Sequence, residues 1–203
     1  MAARDSYHHG DLRAALVDAG LALIAESGVE ALSVAEAARR TGVSPAAPYR
    51  HFPTRQAFLL AVAIRAAELL NADLRAALAV VDDPCEALAV IASVYVRFVV
   101  RHRAGLDLVF AEQLQPLRDP DLGAAGRAVM DIVLSSALGV VGDDPEAALA
   151  LFGKSLAAAH GFATLHLSGF GRRRVDIDQL ASGAAEVSRT LAAAARTAAT
   201  GHG

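Results

Sequence analysis

The chain has 203 residues, of which 54% are hydrophobic and 20% charged, enough apolar material for a sizeable core and too much for general disorder. Its net charge of -3 and isoelectric point of about 6.1 exclude a polycation that binds nucleic acid through bulk charge. A single cysteine, Cys85, excludes an internal disulfide and any multi-cysteine zinc or iron–sulfur site.

Alanine is the commonest residue, aromatics make up 5% and tryptophan is absent. Alanine is the best helix former, whereas sheets favour β-branched and aromatic residues, so the composition predicts an all-α chain. The N-terminal run MAARDSYHHGD lacks the apolar stretch of a signal peptide. A membrane helix needs about 20 apolar residues, and the longest uncharged stretches here are short or carry histidine, serine and glycine. The expectation is a soluble cytoplasmic protein with no membrane partner.

In chain order, Asp11 is placed to cap a first helix whose Leu12, Leu16, Ala19, Leu23 and Ile24 recur at helical spacing, and Gly28 ends it. Ser33 opens a second, short helix as a capping box with Glu36, followed by the turn Thr41-Gly42-Val43. Ser44 caps a third helix with Pro45 at its first position and Pro48 still in the first turn. Pro53-Thr54 ends that helix and caps a long fourth. Later breaks fall at Asp82-Asp83-Pro84, Arg103-Ala104-Gly105, Pro116 to Pro120, Gly142 to Pro145 and Gly169 to Arg174. Ala87 to Val96 is apolar on nearly every face and reads as a buried helix.

The last two helices carry long stripes. Ile177, Leu180, Ala184, Val187, Leu191, Ala194 and Ala198 follow a 3-4 alternation, as do Leu149, Phe152, Leu156, Ala159, Ala163 and His166 on the helix before. Leu151, Ser155, Ala158, Phe162 and Leu165 form a second stripe on that helix. One stripe for the protein's own core and one for a second copy predicts a homodimer through about 145–168 and 176–199.

Charge is uneven along the chain. Between Ser33 and Leu60 stand Arg39, Arg40, Arg50 and Arg55 against Glu36 alone, with His51 in the same stretch. Two short helices joined by a glycine turn, Ser33 to His51, form a helix-turn-helix, which lays its second helix in the DNA major groove. Ala46 and Ala47 let the backbone approach base edges, and their methyls suit thymine. Tyr49, Arg50 and His51 offer donors, and Arg55 is placed to neutralise a phosphate.

The run TGVSPAAPYRHFPTRQAFLLAV strongly resembles the N-terminal domain of TetR-family transcriptional regulators. The turn, the tyrosine-x-histidine-phenylalanine ending and the basic residue opening the next helix recur in register. The likeness is close over about residues 7–62 and follows the helical plan beyond. It implies a three-helix DNA-binding domain over 1–54 and a helical effector-binding and dimerisation domain over 55–203. By position, the DNA contacts it implies are Ser33, Ser44, Ala46, Ala47, Tyr49, Arg50, His51, Thr54 and Arg55. Pro48 stands where many members carry leucine or isoleucine, and Arg55 where lysine is usual. Tyr7 to Arg13 resembles the start of a subgroup named for a C-terminal Trp-His-Gly motif. His160-Gly161 resembles its His-Gly, with Leu156 roughly at the tryptophan position.

Other residues read more plainly. His8 and His9 are adjacent and diverge on a helix, and His160 and His166 lie on different faces, so neither pair suggests a metal site. A surface arm is the reading for the first pair, a hydrogen-bonded core or pocket histidine for His160. Cys85 reads as packing, and Arg172-Arg173-Arg174 as a solvated loop. Phe98, Phe110, Gln113, Phe152 and His160 are the candidate contacts for an apolar or aromatic small effector. The expected function is a ligand-responsive repressor, a homodimer on a near-palindromic DNA operator, with no cofactor, metal or catalytic residue. A helical enzyme or ligand carrier with a vestigial head is the alternative, although no nucleophile–base pair or phosphate loop stands out.

Overall fold

The computed structural model describes residues 5–104, 108, 111, 113–170 and 175–200, without side-chain detail for 5–11 and 115. Among these residues the regular structure is helical and includes no strand. Seven α-helices are described: α1 Asp5–Ser27, α2 Val34–Thr41, α3 Arg55–Leu78, α4 Pro84–His102, α5 Pro120–Val141, α6 Pro145–Leu167 and α7 Ile177–Thr200. Short 3-10 turns stand at Val29–Ala31, Ala47–Arg50 and Gln115–Leu117.

The breaks fall where the punctuation predicts. Gly28 and Gly42 adopt φ of 83° and 72°, a left-handed geometry that side chains resist, and so end α1 and α2. Asp83 Oδ1 accepts from Glu86 N–H at 2.9 Å beside Pro84, and Asp144 Oδ1 accepts from Glu146 and Ala147 N–H beside Pro145. Helix α1 starts at Asp5 rather than after Asp11. The run before Asp11 holds no proline and one glycine, so nothing in it stops the helix.

Two compact units are present. Met1–Glu68 with Arg101–Gly126 forms the first, and Leu69–Val100 with Arg127–Gly203 the second. Helix α3 runs unbroken across the boundary at Glu68 and Leu69.

The first unit is built around Leu16, Ile24, Leu32, Phe52, Phe58 and Val62, all buried. Phe52 and Phe58 stack at 5.0 Å in a tilted pair, and the Arg13 guanidinium sits 5.5 Å above the Phe52 ring. A Cβ on Gly20 would meet Phe58 Cζ at 2.7 Å and Val62 Cγ2 at 2.8 Å, so at this close approach of α1 and α3 any side chain would force its neighbours to shift.

In the second unit α4 is buried on nearly every face, as its apolar run predicts, with Leu88, Ile91, Tyr95, Val96 and Phe98 inside. Helices α6 and α7 pack along Leu151, Ser155, Ala159 and Ala163 on one side and Ala181, Ala184, Ser188 and Ala192 on the other. That line runs across both predicted stripes of α6 instead of following either. Small residues spaced four apart allow close approach, Leu151 and Phe162 turn inward, the latter against Gly183 of α7, and Leu149 and Leu165 turn outward. Leu149 and Leu165 are thus 53% and 51% exposed. Ion pairs from Glu86 to Arg189, Asp83 to Arg196 and Arg97 to Asp178 join α7 to α4 or the turn before it.

Helices α5 and α6 are long and apolar enough to cross a membrane, contrary to the reading of the sequence by uncharged stretches. Within the chain only 22% and 28% of their most apolar windows are buried.

Candidate nucleic-acid interface

Ser33 caps α2 with its hydroxyl oxygen accepting from Glu36 N–H at 3.3 Å, one half of the expected capping box. The other half is missing because the Glu36 carboxylate is taken up elsewhere. Arg39 donates to both of its oxygens at 2.7 and 2.8 Å, and Arg40 Nε adds a bond at 3.2 Å. Arg40 reaches back to Glu26 on α1 in a two-pronged pair at 2.7 Å. The two guanidiniums hold the Glu36 carboxyl at a pKa of about 2, Arg39 first and Arg40 second. Two of the four arginines in the basic stretch are therefore already paired with carboxylates.

The third element departs from expectation. It is a 3-10 turn over Ala47–Arg50, not an α-helix from Pro45. Ala47 N–H bonds Ser44 O at 3.0 Å, and His51 N–H bonds Pro48 O at 2.9 Å. An α-helix would need residue 48 to donate to Ser44 O, and proline has no N–H to give. Pro48 is buried, while Ser44, Ala46 and Arg50 are exposed and Tyr49 is 51% exposed. Phe52, 2% exposed, anchors the turn in the core of the first unit.

The structure thus brings Ser44, Ala46, Tyr49, Arg50 and Thr54 out on one short exposed segment. Ala47 and His51 are half-buried beside it, and the His51 ring leans on Phe52 at 6.3 Å between centroids. Ser33 is half-buried at the start of α2. Thr54 Oγ1 accepts from Ala57 N–H at 3.0 Å and caps α3 as predicted. Arg55 Nε and Nη2 donate to the carbonyls of Leu32 and Val29. Arg50 makes no hydrogen bond or ion pair among the described residues. Sequence reasoning missed the Glu26–Arg40 pair, which joins positions distant in sequence. The Glu36 contacts at i+3 and i+4 were readable from spacing.

In the second unit, the Tyr95 hydroxyl and His160 Nδ1 are hydrogen-bonded at 3.0 Å, their rings 6.2 Å apart. Phe98 is buried on α4, and Phe152 is half-buried on α6. Gln113 belongs to the first unit, where its carbonyl accepts from Gln56 Nε2 at 2.6 Å. Phe110 and the Arg172-Arg173-Arg174 run lie outside the described residues, as do the side chains of His8 and His9. Burial pushes the Cys85 thiol pKa up, consistent with packing rather than reactivity. Among the described residues no cluster of three or more His, Cys, Asp or Glu stands together to hold a metal ion.

Residues 16–62 match the family model described as bacterial regulatory proteins, tetR family. Residues 88–187 match the tetracyclin repressor-like C-terminal domain. No curated protein matches the chain. Among solved structures, a Rhodococcus sp. RHA1 protein of unknown function is 31% identical with a TM-score of 0.71, over 92% of this chain and 97% of that one. A transcriptional regulator from Rhodococcus sp. RHA1 is 22% identical, with a TM-score of 0.65 over 88% and 94% of the two chains. A Saccharomonospora viridis protein solved in complex with choline is 18% identical, with a TM-score of 0.65 over 87% and 95%.

Proposed function

From the premise that the chain belongs to the tetR family of bacterial regulatory proteins, a family of transcriptional regulators and not of enzymes, we propose that it is a ligand-responsive repressor acting as a homodimer on a near-palindromic operator. The observation that carries this reading is the exposed segment Ser44–Thr54, seated on the core by Phe52 and offering Arg50 with no hydrogen-bond or ion-pair partner among the described residues. Tyr49 and Arg50 supply donors for base edges, and the Ala46 methyl suits thymine. Ser33, Ser44 and Thr54 lie toward the phosphates, with Ala47 and His51 flanking. Two such segments in a dimer would meet successive major grooves about 34–36 Å apart. The work of DNA binding falls to residues 1–54, and effector binding and dimerisation to 55–203.

Dimerisation through α6 and α7 is supported by the apolar side chains that α6 leaves uncovered, Leu149 and Leu165 foremost. A mostly apolar groove of about 520 Å³ is lined by Ala147, Ala150 and Leu151 of α6 and by Ala195 and Ala198 of α7. A second copy covers such a face more economically than a lipid does, since Lys154 and Asp144 border the same groove. The protein works in the cytoplasm, where the DNA of a bacterial regulator lies. For the effector we propose a small apolar or aromatic molecule in the second unit, met by Phe98 and Phe152 with Tyr95 and His160 as polar anchors. The choline held by the Saccharomonospora viridis protein is a precedent for a small ligand on this fold. Effector and DNA then weaken each other's binding equally, by linkage.

Selection from random duplexes followed by fluorescence anisotropy tests the reading. The wild type is expected to bind the selected duplex in the nanomolar range, typical of specific sites, and Tyr49→Ala/Arg50→Ala to lose at least about 1–3 kcal/mol per base contact. Equal weak binding to selected and scrambled duplexes would refute it.

A further inference from the structure

The geometry points to Arg55 as a positioning residue that clamps the two ends of the helix-turn-helix, rather than as a phosphate ligand. This inference rests on the DNA-binding reading above. Thr54 caps α3, which makes Arg55 its first residue. A cation there faces the positive end of the helix dipole, so its presence calls for acceptors that offset the repulsion. Two carbonyls provide them. Arg55 Nε donates to Leu32 O at 3.0 Å, and Nη2 donates to Val29 O at 2.9 Å.

Nε and Nη2 form one edge of a rigid planar fork, which fits two fixed acceptors at once. A lysine ammonium is a point donor on a flexible stem and cannot reproduce that edge. The two carbonyls belong to the corner between α1 and α2. Val29 O also accepts from Leu32 N–H at 3.1 Å, so the guanidinium closes over a turn that is already formed. Leu32 is buried, and Ser33, the next residue, caps α2. The clamp therefore joins the start of α2 to the start of α3. The exposed segment Ser44–Thr54 is the chain held between those two points, and Arg55 acts on DNA through that segment's placement.

The test uses the full chain as wild type, Arg55→Lys and Arg55→Met, well below the unfolding temperature. Affinity for the selected and scrambled duplexes is read across a salt series, and amide hydrogen exchange at Ala31 to Val34 is read without DNA. Both variants are expected to lose about tenfold in affinity for the selected duplex, as the loss of charge-assisted hydrogen bonds to a fixed corner implies. Scrambled-duplex affinity and the salt slope stay at wild-type values, and exchange at Ala31 to Val34 quickens in both.

If Arg55→Lys binds like the wild type while Arg55→Met loses affinity for both duplexes, with a slope smaller by about 0.9, Arg55 is a phosphate ligand and the proposal falls. A lower unfolding temperature with unchanged affinity would make the role merely structural and overturn it too. Wild type that binds no selected duplex would sink the DNA-binding reading instead. Exchange then still decides the clamp, since unaltered rates at Ala31 to Val34 overturn it alone.

Discussion

Gly20→Ala sets two opposed effects against each other inside one helix. Alanine in place of glycine in a helix interior favours folding by about 1 kcal/mol, through backbone entropy and helix propensity. Against that, the new methyl would stand 2.7 Å from Phe58 Cζ and 2.8 Å from Val62 Cγ2. Phe58 and Val62 are both fully buried, and the valine is stiff at χ1, so relief of the contact requires repacking within the core. Overpacking of that kind costs about 1–3 kcal/mol, which outweighs the propensity gain. The expected outcome is a first unit less stable by about 1 kcal/mol, which moves the melting temperature of a domain this size by about 4–8 °C. Urea unfolding followed by hydrogen exchange of α1 and the first half of α3 separates this unit from the second. Val62→Ala removes one of the two obstructing atoms, so Gly20→Ala is expected to cost less in that background, with a coupling of at least about 0.5 kcal/mol. A Gly20→Ala protein as stable as the wild type or more so, or additive single and double variants, would refute the close approach as the reason for glycine.

Two further outcomes follow from the same unit. Pro48→Ala restores an N–H opposite Ser44 O, so the 3-10 turn is expected to wind toward an α-helix, read as Cα chemical shifts and a newly protected amide at position 48; unchanged shifts would show that proline is not what keeps the turn tight. Glu36 has a folded-state pKa of about 2 against an ordinary 4.5, so its pairing stabilises the fold above 4.5 and that contribution is lost as pH falls from about 4.5 toward about 2. Glu36→Gln is expected to flatten the stability profile across that acid range in a urea titration, and a profile identical to wild type would remove the pairing from the account.

The local grammar of the first 60 residues was legible because each signal acts within four residues. Gly28, Gly42, the Ser33 cap and the Thr54 cap each depend on one side chain and its immediate backbone, and each stands where the pattern places it. The third element departs from its pattern for an equally local reason. A proline at the fourth position of a helix deletes the bond that would turn a 3-10 start into an α-helix. The Glu26–Arg40 pair and the Arg55 clamp escaped because their partners lie 14 and 23–26 residues away.

The stripes of α6 were ambiguous for a different reason. Alanine is at home in a core seam and on a surface alike, so in an alanine-rich helix the pattern leaves several faces equally apolar. The facing helix α7 chose among them, selecting a line of mostly small residues with Leu151 and leaving Leu149 and Leu165 exposed. The same kind of tertiary choice reshapes the basic stretch of the first unit. Composition counted four arginines, but the fold commits Arg39 and Arg40 to carboxylates and Arg55 to carbonyls, which leaves Arg50 as the one with no partner among the described residues. In the proposed reading, discrimination among sequences rests on the placement of a short, proline-stiffened segment, held by the Phe52 anchor below it and the Arg55 clamp across its ends.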